Sequence, residues 1–233
     1  MTSASIASRT TFGTSFLVAN AWSTRFLPAP IAQMRKRFPK VTISMHQGTP
    51  EQVAKMVYEE VGDFGLATES LNNYADLVSL PCYEWQHVLV LPAGHPLTQV
   101  DRISLEDLAP LPLISYHPSF SGRKRIDAAF ATRQLVPNIV LEAIDADVIK
   151  TYVRLGLGIG IVAEIAMREE PQGGDLVPRP AGHLFGQNVA RIAFKRGAYL
   201  RNFVYAFAEM LSDRLSRSLV DRAMAGDPQD YQV

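Results

Sequence analysis

The 233-residue chain has little of several things that ordinarily announce a function. It has one cysteine, Cys82, which excludes an internal disulfide and any cysteine-rich zinc or iron–sulfur centre. It has no net charge, with 23 Lys and Arg against 23 Asp and Glu, which argues against a nucleic-acid-binding surface spread over its whole length. No apolar run reaches the roughly 18 residues needed to cross a bilayer. The first residues, Met1 to Arg9, lack the charged start and apolar core of a secretory signal. Gly-x-Ser-x-Gly, Walker-loop and His-Glu-x-x-His signatures are missing, and His46, His87, His95, His117 and His183 do not cluster at ligand spacing. The expectation is a soluble, cytoplasmic α/β protein with no catalytic apparatus, cofactor, metal or membrane partner.

What is present is a core and a rhythm. Hydrophobic residues make up 47% of the chain, enough for one large domain or two small ones. Leu27, Ile31, Met34 and Phe38 mark one helix face, closed by Arg35-Lys36-Arg37 and Pro39. Val41 to Met45 alternates as a strand. Thr49-Pro50-Glu51-Gln52 then reads as N-cap, first-turn proline and capping-box residue of a helix to about Glu60, with Val53, Met56 and Val57 inward. Strands follow at 63–68 and 77–82, so this part reads as βαβ units on a parallel sheet. A second series comprises a strand at 86–91, a capped helix from Ser104, and a strand at 111–115. It continues with a helix at 123–135 (Ile126, Ala129, Phe130 and Arg133 on one side), a strand at 139–143, a helix at 145–155 and a strand at 158–163. A polar connection is expected over 164–174, then a strand at 189–194 and a closing helix marked by Leu200, Phe203, Val204, Phe207 and Leu211.

Two α/β series crossed twice by the chain describe a clamshell of two lobes, with residues 12–83 plus 189–225 in one and 84–188 in the other. The expected crossings are Tyr83-Glu84-Trp85 outward and Gly186-Gln187-Asn188 on return. Residues 1–11 are expected to be poorly ordered or a non-native start, and the tail after Ala225 to be frayed.

Ligands of open α/β sheets sit beyond the C-terminal strand ends, at helix N-termini. Three places fit: Gln47-Gly48-Thr49, Thr68-Glu69-Ser70 and Ser119-Phe120-Ser121-Gly122. Each offers hydroxyls and backbone N–H groups suited to a small anion, and each is also an ordinary cap or turn. The candidate ligand residues are therefore Gly48, Thr49, Thr68, Ser119 and Ser121, with Trp85 either lining the hinge or filling the lobe junction. Asp145 and Asp147 read as N-cap and first-turn residues before an acid–base pair, Cys82 as a buried hydrophobe, and Gly156-Leu157-Gly158-Ile159-Gly160 as a helix cap and turn.

Several runs then carry a resemblance: Arg37-Phe38-Pro39, Met45-His46-Gln47-Gly48-Thr49-Pro50, Ala67-Thr68-Glu69, Leu80-Pro81-Cys82-Tyr83, Gly94-His95-Pro96-Leu97, Phe120-Ser121-Gly122-Arg123 and Asp145-Ala146-Asp147-Val148-Ile149-Lys150-Thr151. Over roughly residues 27 to 220 the chain resembles the effector-binding domain of LysR-type transcriptional regulators, and most of all the CysB-type regulators of sulfur assimilation. The resemblance implies a type II periplasmic-binding-protein clamshell that senses sulfate, thiosulfate, O-acetylserine or N-acetylserine between its lobes and acts as a homodimer or homotetramer. It implies that DNA is met only through an N-terminal helix-turn-helix and linker of about 80 residues, absent from this chain. Of the hydroxyl stretches that hold the family's anion, Thr68 matches one and Ser121 falls where threonine is common.

The third stretch differs. CysB-type chains carry Thr-Thr-His-Thr-Gln-Ala-Arg-Tyr where this one has Val18-Ala19-Asn20-Ala21-Trp22-Ser23-Thr24-Arg25-Phe26, placing Asn20 and Trp22 among the candidates. Losing two or three hydrogen bonds to a buried anion, at about 1.5–3 kcal/mol each, costs several kcal/mol. Two readings follow: a bulkier thio- or sulfonated effector, or a start over residues 1–26 foreign to the fold. Two rivals to a sensor also stand, a solute-binding protein of the same shape that serves a transporter, and an enzyme using Asp145 and Asp147.

Overall fold

The computed structural model describes residues 13–19, 26–68, 71–171 and 173–226. The expectations for residues 1–11, for Asn20 and Trp22, and for the last residues of the tail lie outside them.

Strand β1 (Gly13–Ala19) is followed by helix α1 (Pro28–Arg37), which starts with proline in its first turn and ends in Arg35, Lys36 and Arg37. Strand β2 (Thr42–Gly48) leads into helix α2 (Pro50–Tyr58). Here the capping box is complete: the Thr49 hydroxyl accepts from the Gln52 amide and the Gln52 side chain accepts from the Thr49 amide. Strand β3 (Phe64–Ala67) is buried along its whole length. Both β2 and β3 run parallel to β1. As the sheet's terminal strand, β2 is mostly exposed on both faces, so its period-two pattern does not mark one buried side as the sequence implied. Met56 is only half-buried, whereas Val53 and Val57 are fully buried.

The expected strands at 77–82 and 86–91 are one strand, β4 (Leu77–Pro92), whose 16 residues span about 50 Å. The backbone stays extended through Tyr83-Glu84-Trp85, so no strand ends there, although the sheet pairing changes just beyond it. The change of neighbourhood is made by partner instead. From Leu77 to Gln86, β4 pairs antiparallel with β9 (Gln187–Lys195), with a register shift at Pro81–Tyr83. From His87 onward it pairs antiparallel with β7 (Ile159–Ala163), and from Val88 also with β8 (Leu176–Pro180). Strand β9 also runs antiparallel to β3. The parallel sheet expected from the βαβ rhythm is therefore mixed, because the strand returning from the second half must run against β4. In the second half, β5 (Leu113–Tyr116) is parallel to both β6 (Ile139–Ala143) and β7.

Helices α3 (Leu105–Leu108), α4 (Ser121–Thr132) and α5 (Ala146–Arg154) fall where the sequence placed them. Ser104 and Asp107 form a second capping box, and Asp145 caps α5 by accepting from the Asp147 amide at 2.7 Å. Gly156, at φ +76°, ends α5 in the left-handed region. Arg133, expected inward, is exposed just beyond α4. The supposed polar connection after β7 carries a 3₁₀ turn whose Ile165, Ala166 and Met167 are buried. Strand β8, helix α6 (Gly182–Phe185) and, after helix α7 (Asn202–Leu211), helix α8 (Arg217–Ala225) were not foreseen.

Three apolar clusters hold this together. One joins Leu27, Met34, Val53 and Val57 to Phe64, Phe194 and Phe207 around the first half of the sheet. In the second half, alternate residues of β4 serve opposite faces: Leu89 and Leu91 pack with Ile126, Phe130 and Phe185 beneath α4 and α6, while Val88 and Val90 pack with Ile149 and Val153 beneath α5. Cys82 is buried as expected; its thiol donates to the Ala190 carbonyl at 3.2 Å and burial pushes its pKa up to about 12.

Candidate functional site

The two crossings foreseen from sequence are hydrogen-bonded neighbours. Glu84 pairs with Val189, Trp85 with Asn188 and Gln86 with Gln187. Directly opposed residues of an antiparallel pair share a face, and residues two apart on a strand share one too. Trp85, His87 and Asn188 therefore project from one side of the sheet where its two halves join. Trp85 belongs to the first half's core, and Phe185 to the second half's. The His87 ring lies between them, with its centroid 4.9 Å from Trp85 and 5.6 Å from Phe185.

Helix α4 lands on this spot with its first turn. A Cβ at Gly122 would sit 2.9 Å from His87 Nε2 and 3.3 Å from the Trp85 ring, so the helix start reaches the strand only because residue 122 has no side chain. His87 and Asn188 are wholly inaccessible to solvent. Among the described residues, neither ring nitrogen of His87 and neither amide atom of Asn188 has a hydrogen-bond partner. Burial, with the Arg125 charge adding to it, depresses the His87 pKa from 6.5 to about 4, so the ring is neutral at neutral pH. Ser115 on β5, two residues from Leu113 and thus on the side covered by α4, is a third buried residue whose side-chain oxygen has no such partner. A side chain in this condition is uncommon in folded proteins, and three of them on the α4 side of one sheet call for an explanation.

The residues expected to bind ligand are placed unequally. Trp85 lies in the floor just described. Ser121 is the first residue of α4. Thr68 is half-buried and directly follows Ala67, which pairs with Arg191 of β9, three positions from Asn188. Gly48 and Thr49 end the outermost strand, with β1 and β3 between it and β9, and the Thr49 hydroxyl already serves as helix cap. Ser119 is exposed, and its hydroxyl lies 2.9 Å from His117 Nδ1. Trp85 thus lies at the join and Ser121 opens the helix that lands on it, while Gly48 and Thr49 belong to the strand at the sheet's end.

Among the described residues, the two buried charged side chains, Arg123 and Lys150, are partnered. Arg123, in the first turn of α4, donates to the Tyr116 carbonyl, Glu142 and Asp127, tying the helix to β5 and β6. Lys150 of α5 donates to the Ala166 carbonyl at 3.0 Å and Glu170 at 2.7 Å, and lies 2.7 Å from Asp147. Asp145 caps a helix and Asp147 pairs with a lysine, so the two carboxylates do not form an acid–base pair. Among the described residues no group of three or more His, Cys, Asp or Glu could hold a metal ion, and no helix is long and apolar enough to cross a membrane.

The family model described as the LysR substrate binding domain matches residues 13–216. The chain belongs to that family. As a LysR substrate-binding domain it has the two-lobed fold of type II periplasmic binding proteins, and it overlays the crystal structure of the cofactor-binding domain of the Cbl transcriptional regulator with a TM-score of 0.87. That likeness comes with 37% identity and covers 97% of this chain and 99% of the other. The chain is 54% identical over 207 residues to the HTH-type transcriptional regulator CysB of Burkholderia cenocepacia, and 44% identical over 192 residues to the regulator SsuR of the same organism. These alignments cover 89% and 82% of this chain but only 66% and 62% of the two regulators, so the LysR domain described here spans less than two thirds of their length. Its relatives are regulators rather than enzymes, in line with the roles of Asp145 and Asp147.

Sequence reasoning missed His87, Asn188 and Ser115 as site residues. Each is a single polar residue in an apolar strand, and nothing local separates such a residue from a satisfied core position. Asn188 had one usable signal, its place in the return crossing opposite Trp85. Among the described residues of this LysR domain, grooves of about 390 and 430 Å³ lie elsewhere, one between α3, α4 and α6 beside Arg102 and His183, the other beside Met167 and Pro178.

Proposed function

We propose that this domain senses a small anionic, sulfur-related effector held between its lobes, and that in the whole cytoplasmic regulator it passes binding to an N-terminal DNA-binding segment. The observation that carries the reading is the join of β4 and β9, where His87, under the start of α4, and Asn188 bury hydrogen-bonding groups that have no partner among the described residues. A site formed at a join between lobes couples occupancy to lobe geometry, because a ligand that contacts both favours one relative placement. One lobe comprises residues 12–83 and 189–225, the other 84–188. The anion's charge would be met by the Thr68 and Ser121 hydroxyls and by the N-terminal amides of α4, which has the length to carry a useful dipole. Assembly as a homodimer or homotetramer would convert a change in lobe geometry into a change in spacing between DNA-binding segments. The likeness to CysB and SsuR supports a regulator of sulfur and cysteine metabolism over a transporter component.

Calorimetry with sulfate, thiosulfate, O-acetylserine and N-acetylserine tests this. At least one should bind, and Thr68→Ala should weaken it about 10- to 100-fold, the equivalent of one hydrogen bond to a charged group. Binding by none of the four, or equal affinity in Thr68→Ala, overturns the assignment.

A further inference from the structure

The covalent chain passes between the two halves twice, and the sheet is thin where it does so. Among the described residues, Tyr83 to Gln86 of β4 pair with β9 alone, through residues 187–190. Strand β3 joins β9 from Arg191 on, and β7 joins β4 from His87 on. Ribbons two strands wide twist more than broader sheets, so this one by itself would leave the halves loosely placed. A third link, which is not covalent, lies beside it.

That link is the 3₁₀ turn Glu164–Met167 after β7. By sequence it belongs to the second half, yet its consecutive residues enter different cores. Ile165, 1% exposed, belongs to the first half's cluster, whereas Ala166 and Met167 belong to the one beneath α5. The second-half end of the turn is held fast: Lys150 donates to the Ala166 carbonyl and to Glu170, and Arg154 pairs with Glu170 and Asp175. At the first-half end Arg168 donates to the Tyr83 hydroxyl at 2.7 Å, and its guanidinium carbon lies 5.7 Å from the centre of that ring. The Tyr83 ring in turn lies 5.1 Å, centre to centre, from that of Phe26, next to the start of α1. The turn therefore links α5 of one half to the base of α1 in the other. Its two ends differ in kind, a multiply paired charge cluster around buried Lys150 against one hydrogen bond from an exposed arginine. When the halves move, the Tyr83 end gives first.

We infer that this turn is a strap that fixes the relative placement of the two halves, with Ile165 as its anchor in the first half and the Arg168–Tyr83 contact as its catch. With the catch open, the halves rock about Ile165; without Ile165, the two-stranded ribbon alone joins them. Arg168 and Tyr83 are positioning residues, which act on the angle between the halves without touching a ligand. The strap acts whether or not an anion is bound.

The test reads the distance between the halves directly. Spin labels on Lys55→Cys in α2 and Ala128→Cys in α4, both exposed positions, report it by pulsed electron paramagnetic resonance. Cys82, the chain's one cysteine, is buried and stays unlabelled. Dilution with unlabelled protein confines the signal to single chains. Without ligand the wild type should give one narrow distance distribution. Tyr83→Phe, which keeps the ring against Phe26, and Arg168→Met should each enrich a displaced population about fivefold, the equivalent of one net hydrogen bond. The double variant should match either single one, because both remove the same contact. Ile165→Ala should broaden the distribution further. A turn that merely packs would lower the melting temperature of the variants and leave the distances unmoved. That result overturns the strap, as does a wild-type distribution already as broad as the variants'. Should Ile165→Ala fail to fold, Tyr83→Phe and Arg168→Met, at half-buried and exposed positions, decide the question. Because no ligand is added, neither outcome bears on whether an anion binds.

Discussion

Lys150 and His87 are both buried in the same half of the molecule, and they are treated in opposite ways. Lys150 has a carbonyl and two carboxylates around its ammonium group, so its charge is fully compensated inside the protein. His87 has no hydrogen-bond partner on either nitrogen among the described residues, and Asn188 none on its amide. The saturated group fastens α5 to the turn after β7, far from any need to change partners. The groups without partners among the described residues lie where β4 and β9 cross between halves. Completeness marks the polar interactions that hold the domain together; the incomplete ones coincide with the site proposed for the effector.

The largest effect should come from breaking the complete cluster. Lys150→Met removes the ammonium group from the Ala166 carbonyl, Glu170 and the half-exposed Asp147, leaving Glu170 to Arg154, and should cost about 2–4 kcal/mol in urea denaturation. A loss under 1 kcal/mol would show that the cluster is no anchor. Next comes the pH dependence of the incomplete one. His87 stays neutral when folded down to about pH 4, whereas the unfolded chain takes up its proton near 6.5, so the unfolded state binds more protons between those values. Stability should therefore rise with pH through that window and fall as pH drops from 6.5 toward 4, by about 3 kcal/mol in all. His87→Leu should remove that part of the slope; parallel curves for the two proteins would place the titrating group elsewhere. The smallest effect should be at Ser115. Ser115→Ala removes a buried hydroxyl that has no partner among the described residues and should leave stability unchanged or raise it by up to about 1 kcal/mol. A clear loss there would mean that Ser115 belongs with Lys150.

Much of the frame was legible in the chain. The capping boxes at Thr49 and Ser104, the cap at Asp145 and the glycine stop at Gly156 are local signals, satisfied within four residues of themselves, and each appears where the sequence put it. Gln187 and Asn188 were legible as a crossing because apolar patterning pauses there. What failed depended on partners far away. The unbroken β4 could not be told from two strands, since a run through Tyr83-Glu84-Trp85 reads like a join until its neighbours on β9 are known. The exposed β2 looked half-buried because alternation says nothing about whether a strand lies at the end of its sheet. Ile165, Ala166 and Met167 were hidden among charged residues that left no periodicity to read.

The same division runs through the site. By itself the sequence determined the two α/β halves, the absence of familiar catalytic motifs, and the hydroxyl-bearing strand ends and helix starts, because these follow from residue type and short spacing. Only the tertiary structure decided that Trp85 faces Asn188 across a sheet join, that Gly122 brings α4 down onto His87, and that Thr49 sits at the far edge with its hydroxyl already used. Whether a buried polar atom is satisfied depends on atoms contributed from other strands and helices, often a hundred residues away, and no local pattern encodes that.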